Sequence, residues 1–406
     1  MRKRYFYGYN IVAAGFFIQA AGGGALATYG LFFNFIQGDF GWERATISGA
    51  TSLTFFVMGT AGIVCGRLTD RIGPRLIMTV AGLVLGAGYL LMNSLSSPVQ
   101  LYVAMGVLVG AGMSTQDVPT LSTIARWFVR RRGMMSGIVK VGTGFGQMVF
   151  PLAVGVLIAA HGWRNAYLFI GFAVLGMVVV SAQVLRRDPG GMGLRPDGES
   201  AVPGTVTRVQ EEGLEYRVAV RTRQFWLVCV ANFLMVYCLI TMLVHLVPHA
   251  VDLGITVGRA GLLVSVMGGV SMAARLGMGT AADRIGARRA FLVCFIVLLV
   301  GFLWQRSASV MWMLVLYAAA DGFARGGSFA VISPMVAELF GTRAHGSLFG
   351  IVNFAGTVGG ALGPLAAGWT FDRQQSYESV FVLLVVLAAV GIGVTLLLKP
   401  IAKTRG

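Results

Sequence analysis

The sequence predicts an all-α membrane protein of twelve spanning helices, arranged as two six-helix halves in parallel repeat. Three observations lead there. Apolar residues fill 56% of the 406 positions and charged residues only 12%, a balance outside the range of soluble domains. The apolar positions gather into runs of about 20 residues or more, enough to cross a bilayer as helix. The second half of the chain then repeats the first at one fixed offset. Inside lipid every backbone polar group must be satisfied within its own segment, so such runs become helices. Short alternating segments of the kind that build a strand barrel do not occur.

In chain order the runs of the first half are 8–36, 46–66, 76–94, 99–126, 134–160 and 165–185. Those of the second are 224–250, 259–281, 289–306, 310–338, 347–371 and 378–398. The first follows Arg2, Lys3 and Arg4 and is too long for the core of a cleavable signal peptide. Residues 186–223 hold Pro189, Gly190, Gly191, Pro196, Asp197 and Gly198 and read as a polar linker, with a short interfacial helix near 211–220. The domains expected are therefore 1–185, the linker 186–223, and 224–406.

Charge sets the orientation. Basic residues recur in alternate loops, at Arg67, Arg71 and Arg75, at Arg126, Arg130, Arg131 and Arg132, and at Arg186 and Arg187. The series continues through Arg284, Arg288, Arg289, Arg343, Lys399 and Lys403, whereas residues 94–100 have no Lys or Arg. This positive-inside pattern places both termini in the cytoplasm of a multi-pass protein of the cell's inner membrane. The net charge of +16 is thus a topology signal, and no nucleic-acid partner is expected. Cys65, Cys229, Cys238 and Cys294 all lie in apolar runs, which predicts buried free thiols with neither a disulfide framework nor a metal site.

The repeat is direct. GRLTDRIGPR begins at Gly66 and GTAADRIGAR at Gly279, 213 positions later; GIVK at Gly137 and GIVN at Gly350 have the same spacing. That offset also carries Pro151 and Ala153 onto Pro364 and Ala366, and Gly155 onto Gly368. One register spanning several helices is the mark of two parallel structural repeats.

With these residues in view, the chain resembles the major facilitator superfamily over essentially its whole length. Gly66, Leu68, Asp70, Arg71, Gly73 and Arg75 match that superfamily's motif between helices two and three, and Gly279, Asp283, Arg284, Gly286 and Arg288 match its second-half copy. The resemblance implies a gating role: the glycine lets helices approach, and the aspartate meets a helix N-terminus and arginines. Within the superfamily the chain is similar to the monocarboxylate transporters and the oxalate/formate antiporters. The stretches that carry this are YGLFFNFIQGDFGWERATIS at 29–48, WFVRRRGMMSGIVKVGTGFG at 127–146, HLVPHAVDLGI at 245–255 and GLRPDG at 193–198. Arg275 falls where those families have a substrate-binding arginine in helix eight. Three departures stand out: Ser271 replaces the aspartate that animal members have one turn earlier, Ala27 replaces their helix-one basic residue, and helix eleven has no lysine.

Arg275 precedes Asp283 by eight residues, which sets it about 12 Å inside the span. A cation at that depth costs roughly 2.5–3.5 kcal/mol on insertion scales, so it faces a partner or an aqueous cavity. Its own helix offers no acid to neutralise it, and a substrate carboxylate would. Asp117 and Lys140 share a depth of about 12–14 Å on consecutive helices. They read either as a self-neutralising structural pair, or as a coupling pair in which Asp117 takes the proton or Lys140 becomes a second anion contact. Asp321 and Arg325, four apart, read as a structural pair, with Asp321 kept as a proton-site candidate. His245, beside Pro248, could sense external protons. Asn353, the repeat partner of Lys140, together with Tyr29, Gln116, Tyr237 and Phe329, completes the candidate cavity lining. Gly142/Gly146 and Gly356/Gly360 read as close-packing sites.

The expectation is a carrier, not an enzyme, with no nucleophile triad, metal cluster, nucleotide cradle or cofactor. Its partners would be a small monocarboxylate of the lactate or pyruvate class, a proton and membrane lipid. A monomer is expected. The alternatives are a carboxylate exchanger of the oxalate/formate type, an efflux carrier for another small molecule, and a non-transporting sensor.

Overall fold

A computed structural model describes residues 6–198 and 213–399. The basic residues Arg2, Lys3, Arg4 and Lys403, and residues 199–212 of the expected linker, lie outside the described residues. Among the described residues the regular elements are helices. Helix α1 combines Gly8–Ala27 with Tyr29–Phe40, joined at Thr28 without a change of direction in φ and ψ. Then come α2 (Arg44–Ile72), α3 (Pro74–Leu91) and α4 (Pro98–Trp127). A continuous run, Arg132–Val184, breaks at Gly162, whose φ of 78° is open to glycine but costly for other residues. Residues 132–161 form α5 and 163–184 form α6. The second half supplies α7 (Arg223–Asp252), α8 (Val257–Ile285), α9 (Ala287–Gln305), α10 (Met311–Phe340), α11 (His345–Gln374) and α12 (Glu378–Leu397).

Ten helices of the described residues are long and apolar enough to span a membrane, with the 53-residue run counted once. The break at Gly162 divides that run into two passes, and α10, whose Asp321 and Arg325 interrupt an otherwise apolar helix, is the twelfth. The helices overrun the hydrophobic runs that predicted them. Helix α2 extends six residues past the expected end at Gly66, so the GRLTDR part of the motif is helix, not loop, and Gly73 makes the turn. A polar end costs nothing outside the hydrocarbon, so hydropathy marks the membrane-embedded part of a helix and not its length. The expected interfacial helix is reduced to four described residues, Tyr216–Ala219. Cys65 is half-buried, not buried, and its thiol lies 3.3 Å from the Ser114 hydroxyl.

Two compact units emerge. One comprises residues 1–130, 138–212 and 342–350; the other 131–137, 213–341 and 351–406. Each therefore includes the first turns of a helix whose remainder belongs to the other. In the first unit, a methyl added at Gly66 would sit 2.2 Å from the Gly346 carbonyl oxygen. In the second, a methyl at Gly279 would sit 2.4 Å from that of Gly133. Gly133 and Gly346 are themselves 213 apart, so the repeat seen in the sequence maps one backbone contact onto the other. Gly73 and Gly286 at the following turns have φ of 86° and 90°, where side-chain-bearing residues are strained.

The GLRPDG stretch has a structural use within the first unit. Asp197, with φ 59°, accepts hydrogen bonds through Oδ2 from the amides of Val129 (2.9 Å) and Arg130 (2.8 Å), which leave the end of α4. Replacing Asp197 with Ala removes that cap and leaves in the left-handed region a residue that tolerates it less well than Asp or Asn. The expected loss is about 1–2 kcal/mol, read as a fall of a few degrees in the thermal midpoint, with Asn largely restoring it. An unchanged midpoint for the Ala variant would contradict the latch.

Candidate functional site

The first unit holds a polar centre built by close backbone approach. Helices α1 and α5 cross where a methyl at Gly142 would lie 2.3 Å from the Phe16 carbonyl oxygen, and one at Gly146 2.0 Å from that of Ala20. Only glycine permits this spacing. It brings short side chains of α1, α4 and α5 within hydrogen-bond reach. Helix α4 contributes irregular backbone. Residues 102–109 are π-helical, and residues 114–117 form a turn before Val118–Trp127 resumes with Pro119 in its first turn. Thr54 donates to the Met105 carbonyl at 2.8 Å inside the π stretch. Such departures from regular helix often mark functional positions.

Asp117 stands at the end of that turn. Lys140 Nζ donates to its Oδ1 at 2.5 Å, and Gln19 Nε2 donates to the same oxygen at 2.9 Å. The Lys140 side chain is 10% exposed and that of Asp117 28%. Gln116 Nε2 donates to the Gln19 backbone carbonyl at 3.1 Å, and Thr143 Oγ1 donates to Gln19 Oε1 at 2.6 Å. The structure thus joins three sequence candidates, Asp117, Lys140 and Gln116, and adds Gln19 and Thr143. A lone Gln in an apolar helix was the available signal for Gln19, but its reach depends on the glycine crossing.

The second unit holds Arg275, 7% exposed, on α8. A methyl at Gly137 would approach the Arg275 carbonyl oxygen to 2.3 Å, and one at Gly326 the Ser271 carbonyl oxygen to 2.1 Å, so the turn bearing the arginine is gripped on two sides. Gly62, the repeat counterpart of Arg275, takes the same backbone contact from Gly350 at 3.0 Å. The second repeat therefore has a guanidinium where the first has no side chain.

Asp321, fully buried on α10, accepts through Oδ2 from Arg325 Nη2 (2.8 Å) and Nε (3.1 Å). Arg325 Nη2 also donates to the Leu239 carbonyl at 2.6 Å. This closed pair ties α10 to α7. His245 Nε2 lies 3.1 Å from the Pro364 carbonyl and Nδ1 3.1 Å from the Tyr377 hydroxyl. A carbonyl only accepts, so Nε2 carries the hydrogen and Nδ1 accepts from the phenol. Burial first, and the carboxylates of Asp252 and Asp372 second, push the Tyr377 phenol above its ordinary range, which keeps it a donor. Tyr29 is buried, and its hydroxyl donates to the Ile47 carbonyl at 2.8 Å, a bond that pins α1 to α2. Asn353 and Phe329 are half-buried on α11 and α10. Thr357 donates to the Asn353 carbonyl at 3.1 Å.

The motif residues sit apart from these centres. Asp70 accepts from Arg126 Nη2 (2.6 Å), from the amides of Gly346 (3.0 Å) and Ser347 (2.7 Å), and from the Ser347 hydroxyl (2.7 Å). It caps α11. Asp283 accepts from the amides of Gly133 (2.6 Å) and Met134 (2.8 Å) and so caps α5. Arg75 donates through Nε and Nη2 to Gln183 Oε1, at 3.0 and 2.8 Å. Arg288 donates to the Leu398 carbonyl.

Residues 12–277 and 246–406 match the profile of the Major Facilitator Superfamily. The chain belongs to the Major Facilitator Superfamily. As a superfamily member it is a multi-pass membrane transporter of small substrates and not an enzyme. Monocarboxylate transporter 12 of Rattus norvegicus is 25% identical over 430 residues, covering 98% of this chain and 87% of its own. Monocarboxylate transporter 3 of the same species is 29% identical over 398 residues, covering 96% and 80%. A protein of Ophiocordyceps sp. (strain BCC 1869), MFS-type transporter 1, is 28% identical over 369 residues, covering 88% and 78%. Among solved structures, the fucose:proton symporter of E. coli superposes with a TM-score of 0.74 at 13% identity, covering 96% of this chain and 98% of its own. These likenesses give a superfamily fold and a monocarboxylate transporter-like chain.

Proposed function

We propose that the protein moves a small monocarboxylate of the lactate and pyruvate class together with a proton, by alternating access, across a cytoplasmic membrane in which both termini face inward. Arg275 carries this reading. It is a buried cation, 7% exposed, on an apolar helix of a chain whose relatives bear the name monocarboxylate transporter over nearly its whole length. A planar guanidinium matches a carboxylate with two parallel charge-assisted hydrogen bonds. Within their own unit Asn353 and Phe329 line the site at Arg275, and within the other Lys140 offers an anion contact when its pair with Asp117 opens.

Asp117 is the favoured proton carrier over Asp321. Its side chain is 28% exposed and shares one oxygen between two donors, whereas Asp321 is sealed from solvent and doubly held by Arg325. A proton that travels with the anion cancels its charge, which would otherwise cost about 2.3 kcal/mol per 100 mV against an inside-negative potential. The test is lactate uptake into proteoliposomes empty of counter-substrate, driven by an acid-outside pulse. Uptake well above protein-free vesicles is expected. Uptake that needs internal oxalate or formate would make the protein an exchanger instead.

A further inference from the structure

We infer that Gln19 is a positioning residue: its side-chain amide holds Asp117 against Lys140 and fixes the break in α4 on which Asp117 stands. This deepens the proposed coupling role of that pair and rests on it. Gln19 is fully buried on α1. Its Nε2 donates to the Gln116 carbonyl and to Asp117 Oδ1, each at 2.9 Å. Its Oε1 accepts from Thr143 Oγ1 at 2.6 Å and from Gln116 Nε2 at 3.2 Å. A carboxamide has two donor hydrogens and two acceptor sites, and all four are used. The orientation follows from chemistry, since a flipped amide would set its oxygen against a carbonyl and a carboxylate, neither of which donates.

Two consequences follow from these bonds. Within the turn 114–117 the Gln116 amide closes on the Met113 carbonyl, three residues back and not four, and the reciprocal bonds between Gln19 and Gln116 hold it to α1. Asp117 Oδ1 receives one neutral and one charged donor, so Gln19 orders the carboxylate without altering the charge of the pair. When Lys140 leaves, the neutral donor remains and the carboxylate keeps its place. The repeat isolates this device. The counterpart of Gln19 is Asn232, one methylene shorter, which donates to the backbone carbonyl of Val352 at 2.8 Å. Where the first half has Gln116, Asp117, Lys140 and Thr143, the second has Phe329, Ala330, Asn353 and Gly356. The same helix position thus bears an amide twice, and only Gln19 holds a charged pair.

The experiment compares the purified wild-type protein with Gln19→Leu, Gln19→Glu, Asp117→Asn and the Gln19→Glu/Asp117→Asn double variant. In the double variant carboxylate and amide exchange places: the amide introduced at position 117 donates to the carboxylate introduced at position 19, which cannot donate to the Gln116 carbonyl as Gln19 does. Two readouts are taken, proton-driven lactate uptake and hydrogen exchange of a peptide covering residues 114–121. For Gln19→Leu the maximal rate falls at least tenfold with KM changed less than threefold, and exchange of the peptide rises at least tenfold. Gln19→Glu, which sets two carboxylates together, falls at least as far. The exchanged pair recovers at least threefold of the rate lost in Gln19→Glu, whereas exchange of the peptide stays raised because the bond to the Gln116 carbonyl is not remade, a split that loss of packing alone would not give. Wild-type rate and exchange in Gln19→Leu, or wild-type protection in the double variant, would overturn the inference. If the wild type takes up no carboxylate, the functional reading fails by itself. The exchange measurement then decides the role of Gln19, with unchanged exchange in Gln19→Leu overturning it and raised exchange in both Gln19→Leu and the double variant supporting it.

Discussion

Replacing Arg275 with Gln lowers lactate uptake by at least a hundredfold, while the thermal midpoint of the purified protein stays within a few degrees. Truncating one partner of a buried, hydrogen-bonded charge pair costs about 2–5 kcal/mol, and each 1.4 kcal/mol is a factor of about ten. The helix cannot shift to compensate, because the backbone at Arg275 and Ser271 is in contact with Gly137 and Gly326. Gln keeps most of the buried volume and a hydrogen-bond donor, which spares folding. Arg275→Lys also fails by more than tenfold, since a point charge does not reproduce the planar fork. Initial rates over a range of lactate concentrations measure both. Uptake within threefold of wild type for the Gln variant rules Arg275 out as the carboxylate ligand.

The second large effect is on stability. Asp70→Ala removes an acceptor of four hydrogen bonds and leaves Arg126, whose side chain is 3% exposed, without its carboxylate. Breaking a buried pair from one side costs about 3–5 kcal/mol, and the N-terminal cap of α11 is lost as well. For a unit of about 200 residues that corresponds to a fall of roughly 6–20 °C in the midpoint. Asp70→Asn keeps the shape but not the charge and falls about half as far. Thermal unfolding in one detergent reads the difference. A midpoint within 2 °C of wild type for Asp70→Ala would mean that the motif aspartate carries little of the fold.

The fold was legible because lipid is a simple solvent. Twelve apolar runs had one outcome as backbone, and the 213-residue offset located the internal repeat without any structural information. That offset also foretold a relation it could not describe: Gly66 to Gly346 and Gly279 to Gly133 are one contact made twice. The site was legible only in part. Arg275, Asp117, Lys140 and Gln116 stood out because charges and amides are rare in apolar helices. Thr143 did not, because a hydroxyl in such a helix is ordinary, and the amide of Gln19 was a signal whose reach became visible only where a glycine crossing brings three helices together. Tyr29 read as cavity lining, but its hydroxyl is bonded to the Ile47 carbonyl, and nothing in the residue pattern distinguishes those two uses of a tyrosine.

By itself the sequence determined the class of solvent around the chain, the number of passes, the repeat and the list of intramembrane charges. All of these follow from transfer energies that each segment carries regardless of its neighbours. Tertiary structure decided which charges are sealed from solvent, as Asp321 is against Arg325, and which keep part of their side chain exposed, as Asp117 does beside Lys140 and Gln19. Hydrogen bonds act over about 3 Å, and distances of that order between helices are set by glycine contacts made far apart in the chain.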